Sequence, residues 1–119
     1  MNDPNCIFCK IAKGLIPANK LHDDEDLMAF HDIRPQAPVH FLLVPKAHIA
    51  SLYEAQGAHQ AALGKMLLLA GRLAREAGAT DGFRTIINNG RVGHQEVYHV
   101  HMHVLGGPDA LGPMLSKRI

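Results

Sequence analysis

Three histidines at every second position, His99, His101 and His103, stand in the stretch YHVHMHVL between Tyr98 and Leu105. Imidazoles so spaced could hold a metal, supply a nucleophile with its helpers, or decorate a solvated strand face. Side chains alternate across a strand, which puts the three on one face and Tyr98, Val100, Met102 and Val104 on the other. Same-face neighbours lie about 7 Å apart at ~3.3 Å rise per residue. Two of them can reach one ion, as in an H-x-H site, whereas all three on one ion would strain a straight strand. An imidazole nitrogen is also a competent nucleophile toward phosphorus or carbonyl carbon. It works best when its other nitrogen is held as N–H by an acceptor. His101 is in the middle, with a neighbour on each side to shape its surroundings, and a remaining imidazole can donate to a phosphate oxygen.

Cys6 and Cys9 form a C-x-x-C pair, and PKAH places His48 just past an apolar run. Tetrahedral zinc needs two ligands beyond two thiolates, and His48 with one histidine of the triplet would complete the set. A redox C-x-x-C and two unligated cysteines are the competing readings. The redox reading requires a strand-to-helix junction in a βαβ context, which is not evident here. Ser51 and Ser116 are the only serines and no G-x-S-x-G occurs, so a serine hydrolase is disfavoured. GAHQAALGK is too widely spaced for a phosphate loop and carries Met66 where Ser or Thr is needed.

The elements that must position these residues follow from pattern and punctuation. CIFCKIAKG reads as a short helix with Ile7, Phe8 and Ile11 near one face and Gly14 as its stop. DLMAFHD reads as a strand, broken after by Pro35 and Pro38. His40–Pro45 fits a buried strand, and Ser51–Glu54 a turn or short helix. The clearest helix runs from about Ala58 to Ala77, with Leu63, Met66, Leu67, Ala70, Leu73, Ala74 and Ala77 at helical spacing. Leu68 and Leu69 widen its apolar surface and suggest a second burial partner. Phe83–Asn88 is β-rich, NGRVGHQ is turn-prone, Val97–Leu105 is the last strand, and the tail after Gly106 is irregular. The sum is an α+β domain with a mainly antiparallel sheet.

The chain has 119 residues, 47% hydrophobic and 19% charged, with net charge +1. Residues 1–119 read as one domain without repeats. No basic cluster stands out to attract nucleic acid, no apolar run is long enough to span a membrane, and no secretory leader is visible. Two cysteines cannot build a disulfide framework, so a cytoplasmic setting is expected.

HVHMHVL matches the pattern His-φ-His-φ-His-φ-φ, φ being apolar, and resembles the histidine triad (HIT) family. IFCKI, AFHDIRPQAPVHFLLVPKAHI and NNGRVGHQEVYHVHMHVLGG resemble its HINT branch from roughly Cys6 to Leu115, and GPML resembles the bacterial members. The resemblance implies a HIT-like fold: a five-stranded antiparallel sheet with one long and one short helix, paired into a homodimer. It implies hydrolysis of purine nucleoside 5'-phosphoramidates to AMP, or GMP, and an amine, through a nucleotidyl-histidine intermediate. His101 would be the nucleophile, His40 would support it through a hydrogen bond, and His103 would contact the phosphate. Asp32 would accept the ribose hydroxyls, and Ile7, Phe8, Ile11, Phe30, His31 and Ile33 would enclose the base. Asn88 would touch the sugar–phosphate region, and backbone N–H groups around Gln95, Glu96 and Val97 would face the phosphate. The cysteine-bearing members imply structural, non-catalytic zinc on Cys6, Cys9, His48 and His99.

Two positions depart from the family pattern. His94 stands where many members have a second glycine, and is strained if that site needs φ > 0. Glu96 stands where animal members carry a serine near the phosphate. The residues also admit three rival readings. A nucleotidyltransferase or dinucleoside polyphosphate hydrolase would use the same histidine. A zinc-containing nucleotide-binding scaffold would turn over little, and a metallohydrolase would hold zinc on the triplet itself.

Overall fold

The computed structural model describes residues 3–115. Ser116 and the rest of the C-terminal tail lie outside them. Five strands form one antiparallel sheet: β1 (Lys20–Asp23), β2 (Leu27–His31), β3 (Val39–Pro45), β4 (Phe83–Ile86) and β5 (Met102–Gly106), in the order β1-β2-β3-β5-β4. The short helix α1 (Ile7–Ala12) and the long helix α2 (Gln60–Glu76) complete the fold.

The two helices cover opposite faces of the sheet, which explains why β2 and β3 are apolar nearly throughout. Leu27, Ala29, Phe41, Leu43, Met102 and Val104 point to one face and pack with Met66, Ala70, Leu73 and Ala74 of α2. Met28, Phe30, Leu42 and Val44 point to the other and pack with Cys6, Phe8, Cys9 and Ile11 at α1. The period of two along β5 thus sends Met102 and Val104 to the α2 side and the histidines to the α1 side. β3 runs antiparallel to β5 with His40 opposite Leu105 and Leu42 opposite His103, which brings His40 beside the triad.

Several elements differ from the sequence reading. β1 was not anticipated: KLHD has one apolar residue and no alternation, and it is a strand through pairing with β2 across a bulge between Lys20 and His22. The last strand starts at Met102 rather than Val97. Ahead of it Val100 N–H donates to Ile49 O at 2.7 Å, and the His99 ring donates to Pro45 O at 2.7 Å, so the chain is drawn toward residues 45–49. Tyr98 is half-exposed instead of packed with Val100 and Met102. β4 ends at Ile86, short of Asn88. α2 begins at Gln60, after a 3-10 turn at Gly57–His59. Leu67, expected on its buried stripe, is 60% exposed, and Leu68 is 83% exposed.

Candidate active site and metal centre

On the α1 face a cavity of about 640 Å³ opens between α1, the end of β2, the loop before the triad and β5. Ile7, Phe8 and Ile11 supply one wall, and Phe30, His31, Asp32 and Ile33 another. Asn88, Glu96, Val97, His101 and His103 line it as well, so the expected contact residues converge with one exception. That exception is Gln95, which is buried and turned away from the cavity. Its Oε1 accepts Gly90 N–H at 2.9 Å, its Nε2 donates to Ala50 O and Val97 O, and its own N–H donates to Gly90 O. Every donor at this position is used in holding the loop, none in facing a phosphate.

The wall also includes Ile16, Pro17, Ala18 and Asn19, which sequence reasoning left unassigned. They follow α1 directly, and Ile16 with Ala18 pack on the same apolar cluster as Phe8. Leu42 is a further lining residue, and alternation from His40 along β3 was the signal that could have found it.

Hydrogen bonds fix the proton positions on three imidazoles. His101 Nδ1 lies 2.8 Å from His99 O, and a carbonyl can only accept, so Nδ1 carries the proton. The Nε2 of His101 is then left with its lone pair. Gln36 N–H donates to His40 Nδ1 at 3.0 Å, which leaves the proton of neutral His40 on Nε2. That Nε2–H donates to His103 Nδ1 at 2.9 Å, so His103 in turn carries its proton on Nε2. His40 therefore bonds His103, whereas the resemblance directed it to His101. Burial pushes His40 below the usual imidazole range, partly offset by Asp32, whose Oδ2 is 3.4 Å from His40 Nε2. Burial also pushes His103 down, reinforced by His101 and His40 and opposed by Asp32 and Glu96. Burial thus disfavours the charged form of both rings.

On the loop at the cavity rim, His94 adopts φ 60°, the left-handed conformation expected of a glycine site. Gly93 beside it is obligatory for space, since a Cβ there would sit 2.4 Å from Asn89 O.

Behind Phe8, four donor atoms meet. Cys6 Sγ lies 3.3 Å from His99 Nδ1, Cys9 Sγ 3.3 Å from His48 Nδ1 and 3.6 Å from His99 Nδ1, and the two Nδ1 atoms are 3.2 Å apart. Zinc bonds of about 2.0–2.3 Å in a tetrahedron give ligand-to-ligand edges of roughly 3.3–3.8 Å, so the set fits a four-coordinate ion. His99 is fully buried, and its Nε2–H is committed to Pro45 O, which turns Nδ1 outward as a lone pair. Burial lowers its pKa to about 4, so the ring is neutral and competent to ligate. Burial raises the Cys6 thiol, a cost that a bound cation would remove. These four residues lie close enough to bind a metal ion. Asp32, His40 and His103 also cluster. There the Gln36 N–H on His40 Nδ1 keeps a proton on the nitrogen that would have to ligate, so that trio does not fit a cation.

The HIT domain pattern matches residues 13–110 of the chain. The chain belongs to the HIT family. The matched span holds the triad, His40 and His48 but begins after Cys6 and Cys9, so half of the four-residue Cys–His cluster lies outside it. The chain is 51% identical to protein HitA of Neisseria gonorrhoeae over 104 residues, 87% of this chain and 97% of that protein. It is 45% identical to the purine nucleoside phosphoramidase of Escherichia coli K12 over 113 residues, 94% of each. A HIT family hydrolase of Legionella pneumophila superposes with TM-score 0.86 at 44% identity, covering 92% of this chain and 98% of that one. The five-stranded antiparallel sheet with one main helix is the fold that these HIT structures share.

Proposed function

We propose that this HIT protein hydrolyses nucleoside 5'-phosphoramidates of the AMP type through a nucleotidyl intermediate on His101. The observation that carries the reading is the pair of opposed contacts behind the cavity, His99 O against His101 Nδ1 and His40 Nε2 against His103 Nδ1, which in neutral rings leave a bare Nε2 on His101 beside an Nε2–H on His103. A nucleophile and a donor to the phosphate oxygens are what substitution at phosphorus requires. The phosphoramidase of Escherichia coli, similar along nearly the whole chain, supports the choice of a P–N bond.

In this reading the base lies between α1 and Phe30, His31 and Ile33, and Asp32 accepts from the vicinal ribose hydroxyls. Asn88 meets the sugar–phosphate region. His101 Nε2 attacks the α-phosphorus in line, the P–N bond breaks, and the amine leaves with a proton taken from solvent, which the water of the second step gives back. His103 Nε2–H and the backbone N–H groups at Glu96 and Val97 stabilise charge on the non-bridging oxygens. Water then attacks the phosphorus of the adduct, releasing AMP, or GMP, and restoring His101. Zinc held by Cys6, Cys9, His48 and His99 would supply a cross-link rather than a Lewis acid, because a closed four-ligand set leaves no position open for substrate. Leu67, Leu68 and Phe83, all exposed, support pairing into a homodimer through α2 and β4. Among the described residues no helix is long and apolar enough to cross a membrane. The two buried cysteines, not joined by a disulfide, support a reducing, cytoplasmic setting, and residues 1–119 are read as one domain with nucleotides rather than nucleic acid or membrane as partners.

The test is side-by-side turnover of an AMP phosphoramidate and a dinucleoside polyphosphate, with mass spectrometry of acid-quenched protein. Faster release of the amine and an adenylyl adduct on the peptide containing His101 support the reading. Preference for the polyphosphate would move the assignment to a dinucleoside polyphosphate hydrolase or nucleotidyltransferase. AMP binding with neither adduct nor amine release would leave a nucleotide-binding scaffold.

A further inference from the structure

His101 lies one residue ahead of the sheet ladder, since β5 begins at Met102. The segment that carries it is tied instead by Val100 N–H to Ile49 O at 2.7 Å. Both residues of that bond adjoin members of the metal-binding cluster: His48 precedes Ile49, and His99 precedes Val100.

His99 works in two directions. Its ring Nδ1 faces the sulfurs of Cys6 and Cys9, while its peptide carbonyl accepts the Nδ1–H of His101 at 2.8 Å. A second route runs through Phe8, which sits between the two cysteines on α1. Its ring stands edge-on to His99 at 5.7 Å and to His101 at 5.1 Å. Any change that turns the His99 carbonyl away removes the acceptor that fixes the proton of His101. Any change that shifts α1 moves the ring packed against the same imidazole. Four of the donor-atom pairs in the cluster lie 3.2–3.6 Å apart, a spacing that a shared cation or shared protons would hold.

We propose that the Cys6, Cys9, His48 and His99 cluster is a positioning device for the reaction, with His99 and Phe8 as positioning residues. Its metal occupancy sets the tautomer and orientation of His101 and thereby governs the chemical step rather than nucleotide binding. The kinetic half rests on the phosphoramidate reading given above. The half that concerns the tautomer of His101 does not.

The experiment uses the full chain with 15N-labelled histidine in four states: zinc-loaded, chelated, reloaded with zinc, and Cys9→Ser. Nitrogen chemical shifts of the His101 ring are read by NMR, together with kcat and KM for an AMP phosphoramidate and Kd for AMP. Loaded protein is expected to show one His101 tautomer with the proton on Nδ1. Chelated protein and Cys9→Ser are expected to show a mixture, with kcat reduced about ten- to a hundredfold. AMP Kd should change by less than about twofold, which separates chemistry from uniform binding. Zinc should restore the chelated wild type and not the variant. If Cys9→Ser fails to fold, chelation and reloading of the wild type carry the test. Folded, metal-free protein with unaltered His101 signals overturns the proposal, and so does a loss of AMP affinity as large as the loss of kcat. Should the His101 tautomer follow zinc while loaded protein releases no amine, the positioning role stands and the phosphoramidate reading fails.

Discussion

His101 and His103 stand two residues apart with ring centroids 5.2 Å apart, yet present opposite chemistry to one cavity. The backbone of His99 takes the inner proton of His101 and leaves a lone pair facing outward. The ring of His40 fills the inner lone pair of His103 and leaves an outward N–H. The difference lies entirely in what stands behind each ring.

His101→Ala is therefore expected to remove turnover of an AMP phosphoramidate by several powers of ten, each worth about 1.4 kcal/mol of barrier. AMP binding should persist, because Asp32 and the apolar walls remain. Isothermal titration with AMP and amine-release kinetics on the same sample check both halves. Substantial turnover in the variant would exclude His101 as the nucleophile.

His40→Ala is expected to lower kcat by about 10²-fold, the usual scale for losing control of one phosphate-stabilising donor. Without His40 the inner nitrogen of His103 has no partner, and the proton that should face the phosphate is free to move inward. His40→Gln should recover part of the rate, since its amide N–H can reach toward His103 Nδ1. Equal rates for the alanine and glutamine variants would mean that His40 acts by volume and not by donating a proton.

Zinc content and stability should move together. Protein purified without chelator is expected to contain about one zinc per chain, and Cys6→Ser or His48→Ala to lose it. Because the cluster ties α1 to the segment before β5, both variants should melt at lower temperature. Elemental analysis and differential scanning calorimetry read the two outcomes. Wild-type protein free of zinc after purification would leave the cluster as thiols and imidazoles only.

Neighbouring loop residues should respond with opposite signs. His94 holds φ 60°, which costs a residue with Cβ roughly 1–2 kcal/mol. Its contact with Glu96 is long, 3.8 Å, and exposed, so it returns little. His94→Gly should raise unfolding free energy by about 1 kcal/mol. Gly93→Ala should lower it, because the new Cβ meets the Asn89 backbone at 2.4 Å and the loop must shift. Urea denaturation of both variants gives the comparison, and a destabilised His94→Gly would show that the histidine is held there by more than this ion pair.

Much of this architecture is legible in the sequence because it is carried by strong local patterns. β2 and β3 are compact apolar runs and α2 repeats at helical spacing, and their places agree to within a few residues. The Cys6, Cys9, His48 and His99 group follows from ligand counting together with the family resemblance, and the four residues do meet. What stays hidden depends on tertiary partners. β1 exists because β2 offers an edge, not because KLHD alternates. The start of β5 at Met102 is set by Ile49 and Pro45, some fifty residues earlier in the chain. The inward turn of Gln95 reflects three backbone groups that converge only in the folded loop.

Acid sensitivity should trace to Asp24, in the turn between β1 and β2. Burial raises its pKa, but hydrogen bonds from His22, Lys65, Leu27 and Asp26 outweigh this and hold the carboxyl well below the usual range. Oδ1 accepts the N–H groups of Asp26 and Leu27, while Oδ2 meets His22 at 2.6 Å and Lys65 of α2 at 2.9 Å. A carboxyl whose folded pKa is depressed contributes stability that is present above the unfolded pKa, about 3.9, and lost as pH falls through the folded value. Asp24→Asn keeps an acceptor for the two backbone N–H groups and removes the charge that His22 and Lys65 meet. The variant should melt below wild type at pH 7, and the gap should narrow steadily once pH drops under about 4. Melting temperatures of both proteins between pH 7 and pH 2 decide the matter: a gap of constant size across that range would show that Asp24 acts through shape and not through charge.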